Sequence, residues 1–259
     1  MAKQWTKFPH PDKAYAYDGA ALKRQWDRLH RGDGEPFPKD IAVLDAWRHY
    51  HAGEFQQAVE AGVAAGGAGT NAAIKAQSIY ANYLEKAGKA KLALFEEAAG
   101  WAAERRAEAP KDANAHYLYA YALGRYSQGI SVAKALAQGF GGKIKDALTT
   151  ALKLAPAHAE AHTAYGAYQA EVVNKMGGLV AGMTYGAKKE SALERYQKAL
   201  KLHPDSAIAR IEYANGLILL FGKDRLDDAT KLYEQAAKCK PMDAMERLDV
   251  EMAKAELEE

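Results

Sequence analysis

Cysteine is almost missing from this 259-residue chain: Cys239 stands alone. That excludes an internal disulfide framework and a cysteine metal cluster, and it suits a reducing compartment. Charge imbalance is also missing. Lys and Arg number 35 against 33 Asp and Glu, a net charge of +2 that is too mild to make nucleic acid the expected partner. The longest apolar clusters, such as "GLILLF" from Gly216 to Phe221, fall far short of the roughly 20 residues a bilayer span needs. No apolar run follows the lysines of the opening "MAKQWTKFPHPDKAY", so a secretory leader is not expected. These absences together point to a cytoplasmic protein without a transmembrane segment. What remains is a composition with 49% hydrophobic residues, ample for a core, and rich in alanine, with few prolines and no β-branched runs. Such a chain favours helix throughout.

The prolines punctuate those helices. "PKDANAH" from Pro110, "PAHAEAH" from Pro156, "PDSAIAR" from Pro204 and "PMDAMER" from Pro241 share one design: a proline past one helix, two turn residues, then an alanine opening the next. Proline suits the gap because it lacks the amide a helix interior requires and turns the preceding residue away from helix. Asp112, Ser206 and Asp243 stand where an N-cap side chain would accept from free amides. Nine residues past three of these prolines come Tyr119, Tyr165 and Tyr213, each followed by Ala or Gly. Ala192, Tyr196 and Ala199 precede Pro204 by the same intervals at which Ala229, Tyr233 and Ala236 precede Pro241. Small residues let two helices approach, and the aromatic fills the gap between neighbouring pairs.

These residues resemble the tetratricopeptide repeat, a helix-turn-helix unit of 34 residues. The likeness is clearest over residues 113 to 243, and "HAGEFQQAVEAG" from His51 to Gly62 still resembles the turn and second helix of such a unit. The reading is therefore an all-α solenoid of tetratricopeptide-like pairs over residues 39–259, preceded by an N-terminal extension over residues 1–38 with one helix from Asp18 to His30. A final helix from Ala244 to about Glu258 caps the array. From Pro110 to Pro156, on to Pro204 and on to Pro241, the intervals are 46, 48 and 37 residues. Both helix patterns of each unit are intact, so the excess falls between them, at about residues 127–143 and 171–189. Equivalent insertions emerge from one edge of a stack, where they are expected to pack together. Lengthened connections of this kind, with junctions of the "KALKLHPDSA" type, resemble the regulator of microtubule dynamics family over roughly residues 113 to 241. The resemblance implies protein contacts and phospholipid binding by the repeat domain. The N-terminal membrane anchor of some members has no counterpart here, so a tethering role is not expected.

Motifs for chemistry are weak. Gly177 and Gly182 have phosphate-loop spacing, but Met183 stands where the lysine should be, and no strand precedes them. "HAEAH" sets His158 and His162 four apart, a metal-like spacing without a third ligand, and a packed, hydrogen-bonded pair is the expectation. "HYH" at His49 to His51 points two ways across a helix. No catalytic constellation, cofactor or metal site is expected, and the chain is read as a non-enzymatic interaction scaffold. Two surfaces are candidates for a protein or peptide partner. The groove lined by first helices would present Asn114, Tyr117, Tyr121, Thr163, Ile208, Ile211, Asn215 and Ile218. The insertion edge would present Phe140, Lys143, Lys175, Met176, Leu179, Val180, Met183, Tyr185 and Lys188. An alternative makes the insertions a lid over the groove, enclosing an apolar ligand such as a lipid tail, with Lys134 and Lys189 among the lysines that meet its head group.

Overall fold

A computed structural model describes residues 4–258, and among them every regular element is helical. The chain divides into two compact units. Unit 1 holds residues 4–30, 35–140 and Met242–Met245; unit 2 holds Arg31–Gly34, Gly141–Pro241 and residues 246–258.

Unit 1 contains α1 (Gly19–Leu29), α2 (Ile41–Ala52), α3 (Phe55–Ala65), α4 (Gly69–Tyr83), α5 (Gly88–Glu108), α6 (Ala113–Gln128) and the short α7 (Val132–Ala137). Each helix from α2 to α6 packs on the next in sequence, and α4 also packs on both α2 and α6. That is the ladder of first helices a solenoid requires. Asp18 and His30 bound α1, as the sequence predicts, with the Asp18 carboxylate accepting from the Ala21 amide at 2.6 Å. Gly53 ends α2 at φ 80°, and the Phe8 ring lies where a Cβ would stand. Only glycine supplies both the left-handed turn and the room.

The N-terminal segment is bound across the first helices of unit 1. Trp5 stacks on Tyr80 of α4 at 3.9 Å, and its amide donates to Gln56. Trp26 of α1 is buried edge-on to Trp47 of α2, and its indole donates to the Glu35 carbonyl at 2.7 Å. The Glu35 carboxylate, itself buried, accepts from Asn114 at 2.6 Å and from Asn71 at 3.4 Å. These contacts explain why α4 is buried on nearly all sides although it carries Asn71, Lys75, Gln77 and Ser78.

Asp112 caps α6, accepting from the Asn114 and Ala115 amides, and also receives Arg105 at 3.0 Å and Asn71 at 3.1 Å. Asp112→Ala is expected to lower stability by about 2 kcal/mol in urea titration, while Asp112→Asn, which can still cap, loses about half that. Equal losses for the two variants would show that the cap contributes little.

Unit 2 contains α8 (Phe140–Leu154, from Gly141 onward), α9 (Ala159–Met176), α10 (Gly178–Tyr185), α11 (Lys189–Leu202), α12 (Ala207–Phe221), α13 (Leu226–Ala237) and α14 (Ala244–Glu256, from Glu246 onward). α11 packs on α9, α12 packs on both, and α13 packs on α12. Tyr196 of α11 fills the junction. Its ring meets the bare backbone of Gly166 on α9 and Gly216 on α12, where added Cβ atoms would come within 2.9 and 2.6 Å of it, and it stacks on Tyr213. Ser206 caps α12 as expected, while α9 is capped by His158, whose Nδ1 accepts from the Ala161 amide at 3.1 Å. Asp243 makes a buried contact with His51, described below.

Candidate functional site

The predicted groove residues separate on inspection of their partners. In unit 1, Asn114 is committed to Glu35, Tyr117 is buried against Tyr121, and Tyr121 is half-buried with the Arg125 guanidinium 5.4 Å from its ring. In unit 2, Thr163 is buried and donates back to the Ala159 carbonyl. Asn215 accepts from the Tyr233 hydroxyl, Ile208 is half-buried against the core, and Ile218 is exposed. Ile211 is corrected from groove to core. It is 0% exposed, in one cluster with Ala207, Leu217, Tyr233 and Val250. The physical reason is that α12 packs on helices to both sides, so an apolar helix of this kind buries more than one face.

The insertion edge also divides. Phe140 is buried 5.9 Å from Tyr126 in unit 1 and is a core residue, which corrects its place on an exposed edge. Tyr185 is half-buried with its ring against Gly141, where the end of the first insertion meets the second within unit 2. Lys189 donates to the Leu220 carbonyl at 2.7 Å and lies over Phe221, a structural tie. Lys134 is exposed 6.0 Å from the Tyr126 ring. The remaining residues gather on and around α10, a short helix the sequence reading did not anticipate. Leu179 is 77% exposed and Met183 82%, with Val180 also exposed, Met176 half-buried, and Ala181 alone of the helix buried. Gly177 and Gly186, both at positive φ, bracket α10 and turn the chain into and out of it. Lys143 and Lys188 are exposed, and Lys175 pairs with Glu171 at 2.8 Å.

The "HAEAH" histidines have structural roles. His162 donates through Nε2 to the Pro156 carbonyl at 3.0 Å, so its Nδ1 is the acceptor facing Arg195 at 3.3 Å. Burial holds this imidazole below the ordinary histidine value, against the pull of the Pro156 hydrogen bond and with the help of the nearby Arg195 and Lys198 charges. His116 repeats the gesture toward Pro110 at 3.0 Å, and Arg210 toward Ser206 at 2.9 Å. One side chain per repeat ties the first helix back to its turn.

A buried polar chain in unit 1 escaped sequence reasoning. Nδ1 of His51 lies 2.7 Å from Asp243 Oδ2, and its Nε2 lies 3.2 Å from Nε2 of His30. All three are buried among Trp26, Trp47, Tyr50 and Tyr17. The available signal was the isolated histidine on each apolar helix face, but 192 residues separate His51 from Asp243.

A helix ladder with lengthened connections leaves the choice of repeat family to comparison. The family model described as regulator of microtubule dynamics protein 1-3 matches residues 71–259, most of the chain. The chain belongs to that family. The family match extends well beyond the stretch of resemblance in the sequence, beginning at Asn71 on α4 and taking in α5 and α14. No curated protein sequence matches. Among solved structures, a thermophilic tetratricopeptide-repeat protein of Thermus thermophilus superposes with a TM-score of 0.57 at 16% identity, over 83% of this chain and 98% of that one. At that identity the likeness establishes the family member's fold as tetratricopeptide-like. No described helix is long and apolar enough to cross a membrane.

Proposed function

We propose that this family member is a non-enzymatic interaction scaffold whose recognition surface is the edge formed by α10. One observation carries the reading: Leu179, Val180 and Met183 face solvent together on a single short helix held out by glycine turns. Exposed apolar side chains in a cluster favour docking of a partner, and methionine adapts to irregular partner surfaces. The first helices of unit 1 offer less, since the N-terminal segment already packs on them. The tetratricopeptide-like fold and the family support a binding role without catalysis. The family's description makes the microtubule system the first place to look for the protein partner. An enclosed apolar carrier is less well supported, because Leu179 and Met183 point outward where a lid would turn them in.

The test is affinity capture and microtubule co-sedimentation with the full chain and with a Leu179→Asp/Met183→Asp variant. Both positions are exposed, so the helical circular dichroism should be unchanged. Loss of two apolar anchors is expected to weaken partner retention by at least about tenfold. A folded variant that retains the same partners at wild-type levels would overturn the assignment of the edge.

A further inference from the structure

We propose that His30, His51 and Asp243 form an acid-released latch that holds the N-terminal segment on the first helices of unit 1. Burial keeps His51 neutral in the closed form, and that sets the direction of its two bonds. His51 has Asp243 on one side, and the carboxylate accepts the Nδ1 proton across 2.7 Å. Its Nε2 then has a lone pair directed at His30, and the 3.2 Å contact closes only if His30 donates. One proton lies on the nitrogen–nitrogen axis, with His51 neutral. A further proton on that axis sets two N–H groups against each other, and the contact is lost.

The surroundings decide how readily that proton arrives. Asp243, from the turn before α14, draws it in. Burial opposes it most strongly, and the charges of His30 at the end of α1 and Lys75 of α4 oppose it too. The phenol ring of Tyr17 and the rings of Trp26, Trp47 and Tyr50 complete an apolar enclosure that solvates an imidazolium poorly. Burial prevails, holding His51 below the ordinary histidine value. A histidine depressed in the closed state and ordinary in the open state binds more protons when open. Closure is therefore favoured at neutral pH and weakens as pH falls below about 6.5, the value of a solvated histidine.

The His30 ring also lies tilted against Trp26 at 4.1 Å, and Trp26 holds Glu35, so the latch sits where α1 meets the rest of unit 1. Opening would expose Trp47 and Tyr50 on α2 together with Asn71 and Asn114, a surface that the neutral form keeps covered.

Hydrogen exchange of the α1 amides in the full chain tests this, with rates corrected for the intrinsic effect of pH. Between about pH 7.5 and 5.5 the opening equilibrium of α1 should rise about tenfold in the wild type. His51→Gln removes the titrating ring but keeps an amide donor for Asp243, so its α1 response should be at most about a third as large. Comparing the two proteins at each pH removes the contribution of His162 and of every other titrating group. Should His51→Gln fail to fold, imidazole NMR titration of the wild type decides: His51 is expected to protonate only as α1 opens. Equal responses in the two proteins, or a protonated His51 with α1 still closed, would overturn the proposal.

Discussion

Replacing Tyr196 with alanine is expected to lower the unfolding free energy of unit 2 by about 3–5 kcal/mol, the range for removing a fully buried aromatic ring. The ring is 1% exposed and occupies the space that two glycines on different helices leave open. Neither Gly166 nor Gly216 has a side chain to move into the void, so the cavity would persist and the loss should lie toward the upper end. The converse change makes the same point. Gly216→Leu inserts bulk at a place where even a Cβ would lie 2.6 Å from the Tyr196 ring, so it should destabilise by a similar amount. Urea titration followed by circular dichroism measures both. A loss under about 1 kcal/mol for Tyr196→Ala would mean that the helices close on one another without the ring.

Trp26→Ala carries the second large effect, again about 3–5 kcal/mol, now in unit 1. The indole is buried, packs against Trp47, His30 and Phe37, and donates to the Glu35 carbonyl. Its removal leaves that carbonyl and the Asn71 and Asn114 contacts to the Glu35 side chain without their anchor. Limited proteolysis should accordingly cut within residues 18–38 far faster than in the wild type, before any cut in α4 or α6. An unchanged proteolytic pattern would show the segment to be held by other contacts.

The solenoid was legible because its signals are local. Proline junctions, the Asp112 and Ser206 caps, the bounds of α1 and the small-aromatic spacing around Tyr196 each depend on residues a few positions apart. The same is true of the histidine at position 162, whose partner carbonyl is six residues away. What stayed hidden depends on distant chain segments meeting. Nothing near Asn71 in the sequence announces Glu35, and nothing near His51 announces Asp243. Asn71, Lys75 and Ser78 recur along one face of α4, and that stripe of polar residues is what a covering segment would need, but the same spacing also reads as a solvated face. The register of Ile211 fits a groove position, while its burial is set by how many neighbours α12 has. α10 was missed because a glycine-rich octet has low helix propensity, and tertiary packing of Ala181 and Tyr185 overrides it.

The interaction reading rests on where a partner touches the chain. A photoreactive amino acid placed at Met183 on α10 reports on the exposed edge, and one placed at Asn215 on α12 reports on the predicted groove. Irradiation of each protein in a cell extract, followed by denaturing electrophoresis, is the most direct measurement. A discrete adduct from position 183 and little from 215 is the expected result. Adducts from 215 with none from 183 would contradict the account and move recognition to the groove.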